Sequence, residues 1–185
     1  MKKSSIPQLV VALDVDSKSK FLSELERLPV ELQWVKIGLE LFCAEGPSVL
    51  EPLHERKSAI FLDLKLHDIP RTVERAVRSA AKHRVNLLTI HASGGHAMIQ
   101  AAANAAKEFA ENGPKIIAVT ALTSLQQTDL ADIGVMRNMP DQVRALAQLA
   151  MRAGADGVVC SPLEAALLRA ELGPEALLIT PGIRA

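Results

Sequence analysis

Residues 61 to 72 read Phe-Leu-Asp-Leu-Lys-Leu-His-Asp-Ile-Pro-Arg-Thr, an apolar run of strand character that carries Asp63, Lys65 and Asp68. Side chains on a strand alternate faces, so Asp63 and Lys65 share one face, and Asp68 falls just past the strand end where a helix can begin. Three charges of alternating sign are therefore expected to converge on one spot. Taking such groups out of water costs several kcal/mol per ion unless each is paired, and a plain core would use Val or Leu instead. The pattern points to a catalytic or binding site. A structural ion pair, with Asp68 starting the next helix ahead of Pro70, accounts for Asp68 but poorly for Asp63. Asp63, His67 and Asp68 are also a conceivable divalent-metal set. The Lys65 ammonium would compete for those carboxylates, so no metal is expected, and His67, grouped with Asp63 and Lys65 by parity, reads as a neutral rim residue.

The elements that must position these groups alternate strictly. Short β-branched runs at Leu9 to Leu13, Trp34 to Ile37, Ile60 to Leu64, Leu87 to Ile90, Ile116 to Thr120, Gly157 to Cys160 and Leu177 to Thr180 predict seven strands. Helical periodicity lies between them at Lys18 to Arg27, Pro47 to Glu55, Pro70 to Lys82, Gly95 to Ala110, Pro140 to Ala153 and Pro162 to Glu171. Such alternation predicts an α/β protein, a (β/α)8 TIM-type barrel whose eighth β/α unit is missing from the 185 residues. Residues 1–185 are expected to form one barrel domain, C-terminally incomplete. In barrels of this type the functional residues gather at the C-terminal ends of the strands. Here those ends supply Asp14, Lys36, Asp63 with Lys65, His91, Thr123 with Ser124, and Pro181 with Arg184. His91 and Ser93 read as rim or packing residues.

Composition removes several classes of function. Twenty-one Lys and Arg balance 21 Asp and Glu, and aromatics make up 3% of the chain with no Tyr, which leaves neither a basic field nor a stacking platform for nucleic acid. No run approaches the roughly 20 apolar residues of a membrane span, and the first residues lack the features of a secretory signal, so a cytoplasmic protein is expected. Cys43 and Cys160 lack CxxC spacing and are expected to be reduced packing residues. No GxGxxG or Walker loop indicates a nucleotide cofactor.

Ala12-Leu-Asp14, Val35-Lys-Ile-Gly38, Asp63-Leu-Lys-Leu-His-Asp-Ile-Pro70 with Thr72, Leu122-Thr-Ser124 and Thr180-Pro-Gly-Ile-Arg184 resemble, in order, the motifs of the orotidine 5′-monophosphate decarboxylases. The resemblance implies a homodimeric barrel that converts orotidine 5′-monophosphate to UMP with no metal and no cofactor. It implies that Lys36, Asp63, Lys65 and Asp68 form the catalytic charge network, with Lys65 the proton donor and Asp68 contributed across the dimer interface. Asp14 and Lys36 would hold ribose hydroxyls, Thr72 would reach the neighbouring subunit's ligand, and Thr123 with Ser124 would contact the pyrimidine. Arg184, on the loop with Pro181, would grip the phosphate.

Two departures from the family pattern stand out. Arg71 replaces a usual Asn, which Thr72 beside it should make tolerable. The family's loop Gln and the Gly-Arg pair of its phosphate site would lie beyond Ala185, so a literal 185-residue form is expected to be unstable or inactive. Two rival readings are a magnesium-dependent sugar-phosphate decarboxylase or synthase of the same suprafamily, and a non-catalytic nucleotide-binding dimer. The first needs an acidic metal ligand where Lys36 stands, and the second has no use for Asp63, Lys65 and Asp68.

Overall fold

The computed structural model describes residues 7–183, and these form a single parallel sheet with its strands in chain order, β1 to β7. The strands are β1 (Val10–Ala12), β2 (Trp34–Gly38), β3 (Ala59–Leu66), β4 (Leu87–His91), β5 (Lys115–Val119), β6 (Gly157–Val159) and β7 (Leu177–Ile179). Each pairs in parallel with the next, so every connection is a crossover, as parallel strands require.

The crossovers carry α1 (Lys18–Arg27), α2 (Leu39–Glu45), α3 (Glu51–Glu55), α4 (Pro70–Lys82), α5 (Gly95–Lys107), α6 (Gln127–Asp132), α7 (Met139–Arg152) and α8 (Ala165–Leu172). α1 and α4 match their predicted bounds. The predicted helix from Pro47 to Glu55 is instead a 3₁₀ turn over Gly46–Leu50 followed by the short α3, and α2 and α6 were not foreseen. Glycine at position 46, at φ 67°, ends α2 in a left-handed conformation and separates it from the turn. α6 is only six residues long and is held by a reciprocal cap between Gln126 and Asp129, too local a signal for periodicity to reveal.

Two apolar layers sandwich the sheet. On its helix-facing side Val35, Ile37, Ile60, Leu62, Leu88, Ile90 and Ile116 pack against α-helical residues such as Val73, Val77, Met98 and Ile99. On the other side every strand contributes one residue to a second cluster, Val10, Trp34, Phe61, Leu87, Ile117, Val159 and Ile179. Strands that face helices outward and one another's side chains inward are the construction of a (β/α) barrel wall. Along β2, β3 and β4 the residues two places beyond this inner layer are Lys36, Asp63 and Thr89, so the polar site stands directly on an apolar floor.

Candidate functional site at the C-terminal ends of the strands

β1, β2 and β3 deliver an alternating row of four charges. Lys36 Nζ lies 2.8 Å from Asp14 Oδ1 and 3.6 Å from Asp63 Oδ2, and Lys65 Nζ lies 2.7 Å from the same Asp63 oxygen. Burial deepens inward along the row, from Asp14 with 62% of its side chain exposed to Asp63 with 12%. A carboxylate this withdrawn needs compensation, and two ammonium groups supply it.

The backbone of β3 is built for this. Pairing with β4 is regular through Leu62↔Leu88 and resumes at Leu66↔Ile90, four steps along β3 against two along β4. The surplus residues form a bulge, and Lys65 within it has φ 49°, a left-handed conformation rare for a residue with a Cβ. Simple alternation therefore places Lys65 correctly beside Asp63, and strict period 2 does not extend past the bulge. His67 is exposed past the strand end, its ring centroid 5.4 Å from that of His91. His91 is partly buried, and that burial, reinforced by His67 and Lys65 and opposed by Asp63, holds its pKa below the ordinary histidine range.

Asp68 does not join the row within one chain. It lies exposed between β3 and α4, its Oδ1 accepts a 2.6 Å hydrogen bond from the Ile69 amide, and among the described residues it forms no ion pair. The expected convergence of three charges is thus corrected to Asp63 and Lys65 with Lys36. Asp68, Ile69 and Thr72 all face solvent at the start of α4, with Ile69 65% exposed. Thr123 and Ser124 sit exposed in a turn closed by the Leu125 amide on the Leu122 carbonyl, past β5 rather than at its end. Pro181 is exposed after β7, and Arg184 lies outside the described residues. Cys160 is buried, and desolvation raises its thiol to about 11, whereas Cys43 is exposed and so does not have the packing role expected of it.

Two residues have roles in the site that the sequence reading does not assign. Thr89 on β4 is fully buried; its Oγ1 accepts from the Lys65 amide at 2.9 Å and donates to Asp63 Oδ1 at 2.8 Å. The signal was a lone hydroxyl within Leu87-Leu-Thr-Ile90. The second is the glycine at position 38, where a Cβ would stand 3.0 Å from Asp14 Oδ1 and 3.2 Å from Lys36 Nζ. Its missing side chain leaves room for that ion pair. Among the described residues no cluster of three His, Cys, Asp or Glu is placed to hold a metal. A surface cavity of about 420 Å³ between α4 and α5 is lined by Glu74, Gln100, Asn104 and Glu108 and contains none of the predicted site residues.

Parallel strands in chain order, with charged side chains converging at their C-terminal ends, define a (β/α)-barrel protein with a polar site at the barrel mouth. The family model of the orotidine 5′-phosphate decarboxylase / HUMPS family matches residues 7–185, and the chain belongs to that family. It is 48% identical over 176 residues to the orotidine 5′-phosphate decarboxylase of Marinomonas sp. (strain MWYL1), covering 95% of this chain and 75% of that one. Against the enzyme of the same name from Actinobacillus pleuropneumoniae serotype 5b (strain L20) the identity is 46% over 177 residues, with 96% and 77% covered. The crystal structure of orotidine 5′-phosphate decarboxylase from Lactobacillus acidophilus superposes with a TM-score of 0.90 at 39% identity, covering 97% of this chain and 82% of that one.

Proposed function

We propose that this protein decarboxylates orotidine 5′-monophosphate to UMP in pyrimidine biosynthesis, using Lys65 as its acid and no metal or cofactor. The observation that carries the reading is the Lys65 ammonium held 2.7 Å from Asp63 at the barrel mouth. In this reaction the C6 to carboxyl bond breaks, carbon dioxide leaves, and the electron pair stays on an sp² carbon with no adjacent carbonyl to share it. An ammonium beside that carbon stabilises the charge as it grows and then gives it a proton, becoming an amine that solvent reprotonates. Asp63 aims the Lys65 ammonium, and Lys36 still partners the Asp63 carboxylate once Lys65 has given up its proton.

Repulsion between Asp63 and the substrate carboxylate is a minor contributor. Two charges about 4 Å apart interact by only about 4 kcal/mol at an effective dielectric near 20, against enzymatic barrier reductions of roughly 8 to 23 kcal/mol. Preorganised positive charge and binding energy drawn from the remote phosphate must supply the rest.

In the same reading Asp14 and Lys36 hold the ribose, Thr123 and Ser124 meet the pyrimidine, and Pro181 and Arg184 flank the phosphate. Asp68 and Thr72 complete the neighbouring site of a homodimer. They stand exposed together with Ile69 at the start of α4, the surface on which the second copy would sit. A cytoplasmic location, where thiols such as Cys43 and Cys160 stay reduced, belongs to it as well.

The test follows the loss of orotidine 5′-monophosphate absorbance with a chelator present, for the wild type and for Lys65→Ala. Turnover that survives the chelator and collapses in the variant is expected. Turnover abolished by the chelator would replace this reading with a magnesium-dependent sugar-phosphate reaction. UMP binding without turnover would leave a form short of its eighth β/α unit or a nucleotide-binding dimer, and the same assay on a chain extended through that unit separates the two, since only the dimer would stay inactive.

A further inference from the structure

We propose that Thr89 is the positioning residue that aims Lys65, by fixing both the left-handed backbone of Lys65 and the orientation of the Asp63 carboxylate. The inference deepens the reading of Lys65 as proton donor and rests on it for its catalytic consequence.

Thr89 is fully buried on β4, on the same face as Leu87 of the inner layer, where a hydroxyl is costly unless both its hydrogen-bonding functions are used. Here both are used, and in only one possible sense. The Lys65 amide can only donate, so Thr89 Oγ1 accepts from it at 2.9 Å; the ionised Asp63 carboxylate can only accept, so the Thr89 proton goes to Oδ1 at 2.8 Å. The first bond replaces the ladder partner that Lys65 loses when β3 slips against β4 between Leu62 and Leu66. The second occupies Asp63 Oδ1 and leaves Oδ2 to the ammonium groups of Lys65 at 2.7 Å and Lys36 at 3.6 Å.

A left-handed residue outside glycine persists only where its surroundings over-determine it, and such conformations cluster at functional sites. At Lys65 two constraints act from opposite ends of one residue, Thr89 on the main chain and Asp63 on the ammonium. Thr89 touches both. One buried hydroxyl thus connects the backbone that carries the proton donor to the carboxylate that holds its ammonium.

The experiment compares wild type, Thr89→Val and Thr89→Ser by two readouts, hydrogen exchange of the Lys65 amide in ¹⁵N-lysine-labelled protein and steady-state kinetics with orotidine 5′-monophosphate. The Lys65 amide is expected to exchange slowly in wild type and Thr89→Ser and to lose protection in Thr89→Val. In Thr89→Val kcat should fall on the order of 10²-fold, the cost of misplacing a reacting group by about 1 Å, with KM little changed, and Thr89→Ser should recover most of it. A fast-exchanging Lys65 amide in wild type overturns the proposal even if Thr89→Val does not fold. So does a Thr89→Val enzyme with unchanged kcat, or one whose loss Thr89→Ser fails to recover. If a wild type extended through the eighth β/α unit has no turnover, the proposed reaction fails by itself, while amide exchange still decides whether Thr89 sets the Lys65 backbone.

Discussion

Lys36 and Lys65 bring their ammonium groups to a single oxygen of Asp63, at 3.6 and 2.7 Å. Two like charges are held together by one carboxylate that is itself nearly buried, so Asp63 is the keystone of the row. Neutralising it leaves two ammonium groups facing each other across a partly dry site. Asp63→Asn is expected to destabilise the fold by roughly 2 kcal/mol, less than the ~3–5 kcal/mol of a fully buried broken pair because both lysines keep some contact with water. Urea unfolding at neutral pH measures this, and an unchanged midpoint would show that the row carries no stability.

Lys65→Arg separates the two tasks given to the ammonium. Guanidinium keeps the positive charge but does not release a proton in the working pH range. Turnover is expected to drop by about 10²- to 10⁴-fold, the usual span of a lost general acid, while UMP affinity stays within a few-fold. Steady-state kinetics alongside calorimetric titration with UMP check the split. An arginine variant that turns over at the wild-type rate would remove Lys65 from the proton-transfer step.

At position 38 stability and function are expected to part. The glycine there has φ −94°, a conformation alanine adopts freely, and Gly→Ala at such a site usually gains about 0.4 to 1 kcal/mol by restricting the unfolded chain. The new Cβ would crowd Asp14 Oδ1 at 3.0 Å and Lys36 Nζ at 3.2 Å. Gly38→Ala should therefore melt at or slightly above the wild-type temperature yet show a several-fold higher KM, since the displaced pair is the one assigned to the ribose. Equal KM values would detach Asp14 and Lys36 from substrate binding.

The strands were legible because each is a short buried run, and in a parallel sheet with both faces covered such runs stand out against amphipathic helices. α2 and α6 were not, since six or seven residues give periodicity too little length to register, whereas α3 falls inside the helix expected from Pro47 to Glu55. At the site, alternation placed Asp63 beside Lys65 correctly, and His67 stands exposed past the strand end beside His91, as a rim residue would, although the β3 bulge breaks the strict period at Lys65. Thr89 and the glycine at position 38 act through a hydroxyl in an apolar run and through a missing side chain. Neither reads as chemistry until the neighbouring strand is in place.

His91 gives the fold a pH dependence whose sign follows from its surroundings. Burial, the neighbouring His67 ring and the Lys65 ammonium depress its pKa in the folded state, while in the unfolded chain it titrates near the ordinary value of about 6.5. Between the two values the unfolded chain binds more protons, so stability rises with pH through that window. The contribution is fully present above about 6.5, is lost as pH falls from there toward the lower folded value, and changes no further below it. His91→Gln keeps a polar side chain that does not titrate, and it should flatten the acid side of the stability profile while leaving stability at pH 8 nearly unchanged. Urea midpoints from pH 5 to pH 8 for both proteins measure the difference. Parallel profiles would assign the acid sensitivity to other groups.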